Sequence, residues 1–269
     1  MIEIISKSAL LSGTIQGNPI QLLHHIIMYI SNDSKSKLKE KKMIKTKVAA
    51  IALVIAFSLT NPVHAQSDPD PHRFDKSINA FRAWDAKNAI PNNPILFVGS
   101  SSIRMWKSAK SFPDLPVVNR GFGGAHISDM LFFKQDILLK YKKPACLVMY
   151  CGGNDVTGGK SAERVVDDFK KWWDVVQTAF PGTPLVYIPI KPCPNRWDIW
   201  DEEKKANKMI ESMCDADRLL FYADTATPML ATGQPPADAL FIADKLHLSD
   251  KGYEMWDSVV RKAIHSALN

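Results

Sequence analysis

Cysteine is scarce in this chain of 269 residues: there are four, and none precedes Cys146. The missing early cysteine excludes lipid attachment at a cleavage-site thiol. The lack of any C-x-x-C pair removes the common zinc and redox spacings. Cys146 and Cys151 flank one apolar run and are expected on one strand, a poor geometry for bridging each other. A Cys193–Cys214 bridge is left open beside the alternative of buried free thiols. Long hydrophobic runs are missing too. Val48–Leu59, an apolar run of 12 residues, makes a helix of roughly 18 Å, too short for about 30 Å of hydrocarbon. Internal repeats, low-complexity tracts and an interdomain linker are also absent.

That apolar run sits in "MIKTKVAAIALVIAFSLTNPVHAQ", which begins at Met43. Lys45 and Lys47 form a positive n-region, and Val63-His64-Ala65 ends in a small-x-small pattern. The expectation is a signal peptide over 43–65, cleaved after Ala65, with the protein secreted or periplasmic and no stable membrane insertion after cleavage. A membrane anchor is the alternative. Residues 1–42 are then an upstream extension or a mis-assigned start, with Met43 the true one. If they are genuine, "IQLLHHIIMYI" is a short amphipathic piece.

Cleavage also changes the electrostatic reading. The full chain carries a formal charge of +6, but residues 1–65 hold 8 of its 34 basic and 3 of its 28 acidic residues. The 26 basic and 25 acidic residues that remain leave a net charge of +1. Nothing here points to nucleic acid.

Residues 66–269 read as one domain. "RFDKSINAFRAWDAKN" has helical spacing through Phe74, Ile78, Phe81 and Trp84. Strand-like apolar runs follow at Ile95–Val98, Val117–Val118, Ala145–Tyr150, Leu185–Ile190 and Leu219–Tyr222. Helical patterns separate them at 102–110, 126–141, 161–179 and 200–216, and a last one fits 250–267. Short continuous apolar strands alternating with amphipathic helices predict an α/β fold, a three-layer α/β/α sandwich around a five-stranded, mainly parallel sheet of flavodoxin-like style. In such a sheet, ligand chemistry belongs at the carboxyl ends of the strands.

The unusual residues lie at those ends. The first strand runs into "GSSS" at 99–102, and the second into "VVNRGFGG", whose glycines let backbone N–H groups approach a ligand. The third runs into "CGGND", where the Asn154 amide can donate. A serine nucleophile also needs a base, a group that orients the base, and donors for an oxyanion. Of the four histidines after Ala65, His72 and His265 look peripheral, and His126 opens a helix without an evident carboxylate partner. His247 follows Asp244 by three residues in "FIADKLHLSD", a spacing that can return a carboxylate to Nδ1 and leave Nε2 facing a serine. Each segment alone is also an ordinary turn. A metal-dependent reading through Asp244, His247 and His126 offers too few ligands at suitable spacing.

Taken in order, "FVGSSSIRMW", "VVNRGFGGAHISDM", "YCGGNDV" and "DKLHLSDKGY" resemble the blocks of the SGNH, or GDSL-type, serine hydrolase family. The resemblance spans about 94–260. It implies Ser101 as nucleophile, Gly124 and Asn154 as oxyanion donors beside the Ser101 N–H, Asp244 and His247 completing a triad, and no metal or other cofactor. Ser100 departs from the pattern, standing where the family has aspartate in Gly-Asp-Ser. Ile103 stands where G-x-S-x-G would need its second glycine, which argues against an α/β-hydrolase elbow.

For the substrate, Arg104 follows the nucleophile by three positions, and "IKPCPNRWDIW" places Arg196, Trp197 and Trp200 at the same edge. The tryptophans either stack on a sugar or acyl group or pack a proline-rich loop. Trp106 is expected in the core. Trp172 and Trp173 are expected with one ring inward and the other near the surface, and Asp155 as an anchor of its turn. With no obvious lid, the expectation is a carboxylic ester hydrolase for short-acyl or acetyl esters, including carbohydrate esters. Lysophospholipid-like esters and a catalytically silent glycan-binding role are the alternatives.

Overall fold

Five short runs of aliphatic, aromatic and β-branched residues form the sheet: β1 (Ile95–Gly99), β2 (Val117–Gly121), β3 (Cys146–Tyr150), β4 (Leu185–Tyr187) and β5 (Leu220–Tyr222). In this computed structural model, which describes residues 68–269, neighbouring strands follow the order β2-β1-β3-β4-β5 and every pairing is parallel. The 1–42 extension, the 43–65 leader and its cleavage site lie outside the described residues. Residues Gln66–Asn269 form one compact unit.

The pleat sends alternate residues to two separate cores. Leu96, Val98, Leu147, Met149, Leu185 and Tyr187 face one side, where they meet α1 (Asp75–Asp85), α4 (Ile127–Phe132), α6 (Ala162–Ala179) and α7 (Trp200–Ala216). Ile95, Phe97, Val148, Tyr150 and Val186 face the other. That side is covered by α2 (Ser101–Met105), α3 (Ser108–Ser111), α8 (Ala226–Leu230) and α9 (Asp250–Leu268). Both sheet faces are therefore dry, which is why β1 and β3 read as unbroken apolar runs. The result is the expected α/β/α sandwich.

Several boundaries differ from the expectation, each for a local reason. The helix expected over 102–110 is broken into α2 and α3. The side chain of Asn119 donates to the carbonyls of Ile103 (2.7 Å) and Trp106 (3.3 Å), and Trp106 itself is extended. The helix expected over 126–141 is α4 followed by a π turn at Gln135–Leu139. Strand β4 stops at Tyr187 rather than Ile190. There the backbone N–H and C=O of Ile190 bond Oδ1 and Nδ2 of Asn207, each at 2.8 Å, so a helix side chain replaces the neighbouring strand. Trp172 and Trp173 are both buried, in place of one inward and one near the surface. Trp173 satisfies its indole by donating to Asp217 Oδ2 at 3.0 Å. All four cysteines are free thiols, so the 193–214 bridge does not form.

Candidate active site

The strand ends set the site. Gly99 lies opposite both Gly121 and Tyr150, so β1, β2 and β3 finish on one row. The loops carrying Ser101, Gly124 and Asn154 leave from that row. These three residues, with Ser77, Ser100, Arg104, Gly123, Tyr150, Gly153, Lys191, Arg196, Leu246 and His247, surround a cavity of about 460 Å³.

Ser101 begins α2, so its N–H has no partner within the helix. The preceding Ser100 is buried, and its N–H donates to the Tyr150 carbonyl at 3.0 Å. Its hydroxyl makes no cap bond, so the turn is held by backbone rather than by a side chain at the position where the family pattern has aspartate.

The partner of Ser101 arrives from far along the chain. The hydroxyl Oγ of Ser101 lies 2.9 Å from Nε2 of His247, and Nδ1 of His247 lies 2.6 Å from Oδ2 of Asp244. A short loop fixes this pair. Phe241 and Leu248 bridge in antiparallel fashion, and Lys245 takes a left-handed φ of 56° between them. Oδ1 of Asp244 accepts the backbone N–H groups of both Leu246 and His247 at 2.9 Å. Burial works against ionisation of Asp244, but the His247 and backbone hydrogen bonds outweigh it and hold the carboxyl down to about 2. An imidazole bonded on one side to an ionised carboxylate and on the other to a hydroxyl can take the hydroxyl proton and carry the resulting charge.

The glycine loop turns beside them. Gly124 has φ 86°, a conformation that side chains rarely adopt, and its N–H has no acceptor among the described residues. A Cβ at Gly123 would lie 2.9 Å from Nε of Arg104, so the guanidinium would have to shift to accept one. Across the cavity, Asn154 donates through Nδ2 to the Ala125 carbonyl (3.1 Å) and accepts from Nη2 of Arg196 (2.9 Å). With Oδ1 engaged, the amide cannot flip without losing both bonds.

Arg104 and Arg196 thus line the cavity, as the sequence suggested, whereas Trp197 and Trp200 do not. Trp200 is only 7% exposed, and its ring stacks on Trp197 at 6.2 Å and 13°. Their aromatic surface goes to packing the 194–199 turn on α7. His126 does not line the cavity either, and it does have a carboxylate neighbour: Oδ1 of Asp155 is 3.7 Å from its Nδ1. Asp155 is buried, accepts the Ile127 N–H and pairs with Lys160 at 2.9 Å, so it ties the start of α4 to α5 (Gly153–Thr157).

Two residues went unsingled in the sequence. Lys191 is 4% exposed and donates to Tyr150 Oη at 3.0 Å and Ser102 Oγ at 3.2 Å. Its signal was a lone cation closing the apolar run "LVYIPIK". Glu203 is buried in the first turn of α7, and burial pushes its carboxyl up to about 8 despite nearby Lys191 and Arg196. Nothing in the sequence separated it from the helix's other acidic residues.

Residues 104–255 match the model of the GDSL-like Lipase/Acylhydrolase family. The match includes Gly124, Asn154, Asp244 and His247 and begins just after Ser101. No curated protein matches the chain. Solved structures share the fold. A GDSL-like lipase from Bacteroides thetaiotaomicron is 20% identical with a TM-score of 0.60, covering 71% of this chain and 98% of its own. A member of the lipolytic protein G-D-S-L family from Veillonella parvula is 14% identical with a TM-score of 0.55, covering 63% and 96%. A variant of an acetyl-xylooligosaccharide esterase from Geobacillus Stearmophilus is also 14% identical with a TM-score of 0.55, covering 65% and 96%. At these identities the likeness is one of fold.

Proposed function

The chain belongs to the GDSL-like lipase/acylhydrolase family, and we propose that it is an exported serine esterase acting on short-acyl or acetyl esters through an acyl-enzyme on Ser101. The observation that carries this reading is the 2.9 Å approach of His247 Nε2 to Ser101 Oγ, with Asp244 2.6 Å behind the imidazole.

In this mechanism His247 removes the Ser101 proton as Oγ attacks the ester carbonyl. Asp244, ionised far below neutral pH, orients the ring and stabilises the imidazolium that forms. The oxyanion is held by the N–H groups of Ser101 and Gly124 and by Nδ2 of Asn154, whose amide Arg196 keeps facing inward. His247 then protonates the leaving alkoxide. Water, deprotonated by the same imidazole, attacks the acyl carbonyl and releases the acid with Ser101 restored.

Small substrates are supported by the modest cavity volume, and the acetyl-xylooligosaccharide esterase with the same fold makes acetylated sugars the first to try. Lysophospholipid-like esters are the alternative within the same chemistry. A glycan-binding role without catalysis is disfavoured by the hydrogen-bonded Ser101–His247–Asp244 set. Export rests on the sequence from Met43 to Ala65.

The test is hydrolysis of 4-nitrophenyl acetate together with a fluorophosphonate label mapped by mass spectrometry. We expect both activity and a single label on Ser101, and both absent in Ser101→Ala. Activity that survives Ser101→Ala would overturn the assignment. For export, secreted protein should begin at Gln66, and native protein still beginning at Met1 would overturn it.

A further inference from the structure

The cavity wall carries three cations and no carboxylate: Arg104, Lys191 and Arg196 all line it, and neither Asp nor Glu does. They come from separate places, α2, the segment after β4 and the 194–199 turn, so their meeting is a property of the fold. What sets them apart is their lack of counter-charge. Among the described residues, Arg120, Lys160 and Lys191 are the buried cations, each 4% exposed. Arg120 is paired with Asp85, and Lys160 with Asp68, Asp155 and Asp168. Lys191 has two hydroxyls and the face of the Tyr150 ring, and no carboxylate. Arg196 spends one nitrogen on the neutral Asn154 amide. The side chain of Arg104 has no hydrogen bond or ion pair to a described residue, and Gly123 is bare where its guanidinium passes.

A buried ammonium without a counter-ion is costly, and folds normally pair it. Glu203 feels both Lys191 and Arg196, but burial raises its carboxyl, it makes no ion pair with either cation, and it does not line the cavity. Asp244 turns its oxygens to His247 and to its own loop. The cavity therefore presents three cations on the wall that it shares with Ser101, none of them ion-paired to a carboxylate among the described residues. Resting on the esterase reading above, we propose that the cavity selects esters bearing an anionic group (a carboxylate, phosphate or sulfate) on the acyl or alcohol part. The anion meets Lys191 and the Arg104 guanidinium while the ester carbonyl lies at Ser101.

Two matched pairs of esters test this. The mono-4-nitrophenyl ester of glutaric acid is compared with 4-nitrophenyl valerate, placing the anion on the acyl side. 4-Carboxyphenyl acetate is compared with methyl 4-acetoxybenzoate, placing it on the alcohol side. Charge-assisted contacts predict that in at least one pair the anionic ester has the higher kcat/KM by about tenfold or more. Which pair responds says which side carries the anion. Arg104→Gln, an exposed change that avoids the folding risk of replacing buried Lys191, should bring that ratio down severalfold. A ratio at or below one in both pairs of the wild-type protein would overturn the proposal while leaving the esterase reading intact. Failure to cleave all four esters would overturn both. Calorimetry on Ser101→Ala separates recognition from chemistry: binding of glutarate in preference to its uncharged diamide supports the proposal, and equal or absent binding of the two counts against it.

Discussion

The guanidinium of Arg196 donates through Nη2 to Oδ1 of Asn154 at 2.9 Å, while Nδ2 of the same amide donates to the Ala125 carbonyl at 3.1 Å. An amide carried on a helix of five residues is thereby fixed from two sides in the wall of the cavity.

If Asn154 stabilises the oxyanion, Asn154→Ala should retain the fold and lose on the order of 10²–10³ in kcat on 4-nitrophenyl acetate. Arg196→Met should lose roughly tenfold through a misdirected amide, with the larger effect on kcat rather than KM. In the Asn154→Ala background the same Arg196 change should cost almost nothing, because there is no amide left to aim. Full additivity in this cycle would show that Arg196 does not act through Asn154.

Asp244 is held at about 2, so it stays ionised across the working pH range. The acid limb of a kcat/KM profile should then show no ionisation from this carboxyl. Asp244→Asn should lower kcat by on the order of 10²–10⁴ at neutral pH. An acid-limb ionisation that disappears in this variant would contradict the assignment. The depressed carboxyl also makes a stabilising contribution that is present above about pH 4 and lost as pH falls toward 2. It should be small, because the side chain is 43% exposed.

Glu203 has the opposite sign. Its carboxyl rises from an unfolded value of about 4.3 to about 8 in the fold. The folded protein binds this proton more tightly, so stability from this group is complete below about pH 4 and falls as pH rises toward 8. Glu203→Gln should flatten the decline of Tm between pH 5 and pH 9 relative to wild type. An unchanged slope would show that Glu203 does not titrate there.

Lys160 sits between three carboxylates, with Asp155 at 2.9 Å and Asp168 at 3.0 Å. Burial alone would lower its ammonium, but the surrounding carboxylates outweigh it and raise it. Lys160→Met leaves Asp155 buried without its cation, while Asp168 keeps Arg164 and Lys171, and should cost about 3–5 kcal/mol in urea unfolding. Because Asp155 also holds the Ile127 N–H, esterase activity should fall with stability. A loss below about 1 kcal/mol would mean that the carboxylates are neutralised in another way.

Sequence legibility followed the distance over which each feature is encoded. Ser101, Asn154 and the Asp244–His247 pair stood out because each lies in a short motif whose own backbone makes the geometry, as the Asp244 loop does with two N–H bonds to one carboxylate oxygen. The strands of β1 and β3 were legible because burial on both faces leaves no polar interruption. Features made by distant partners were not. The break after α2 depends on Asn119, and the end of β4 depends on Asn207. Trp200 resembled a ligand platform until its contact with Trp197 accounted for it. Lys191 was visible as a residue, but the missing carboxylate that makes it notable can only be seen in three dimensions.

The common row formed by Gly99, Gly121 and Tyr150 acts as a ruler for the chemistry. Slipping one strand by a residue would shift its loop by about 3.3 Å and reverse every side chain, far beyond the roughly 0.5 Å tolerance of a working constellation. The spacing of the loops that carry Ser101, Gly124 and Asn154 is thus written into the backbone hydrogen bonds of the sheet. The segment that follows β4 lies past the end of its strand and is set by side chains instead: Asn207 holds Ile190, and Arg196 is tied to Asn154. Lys191, which bonds only Tyr150 and Ser102, is the position there whose exchange would alter the cavity wall without moving the Asn154 amide.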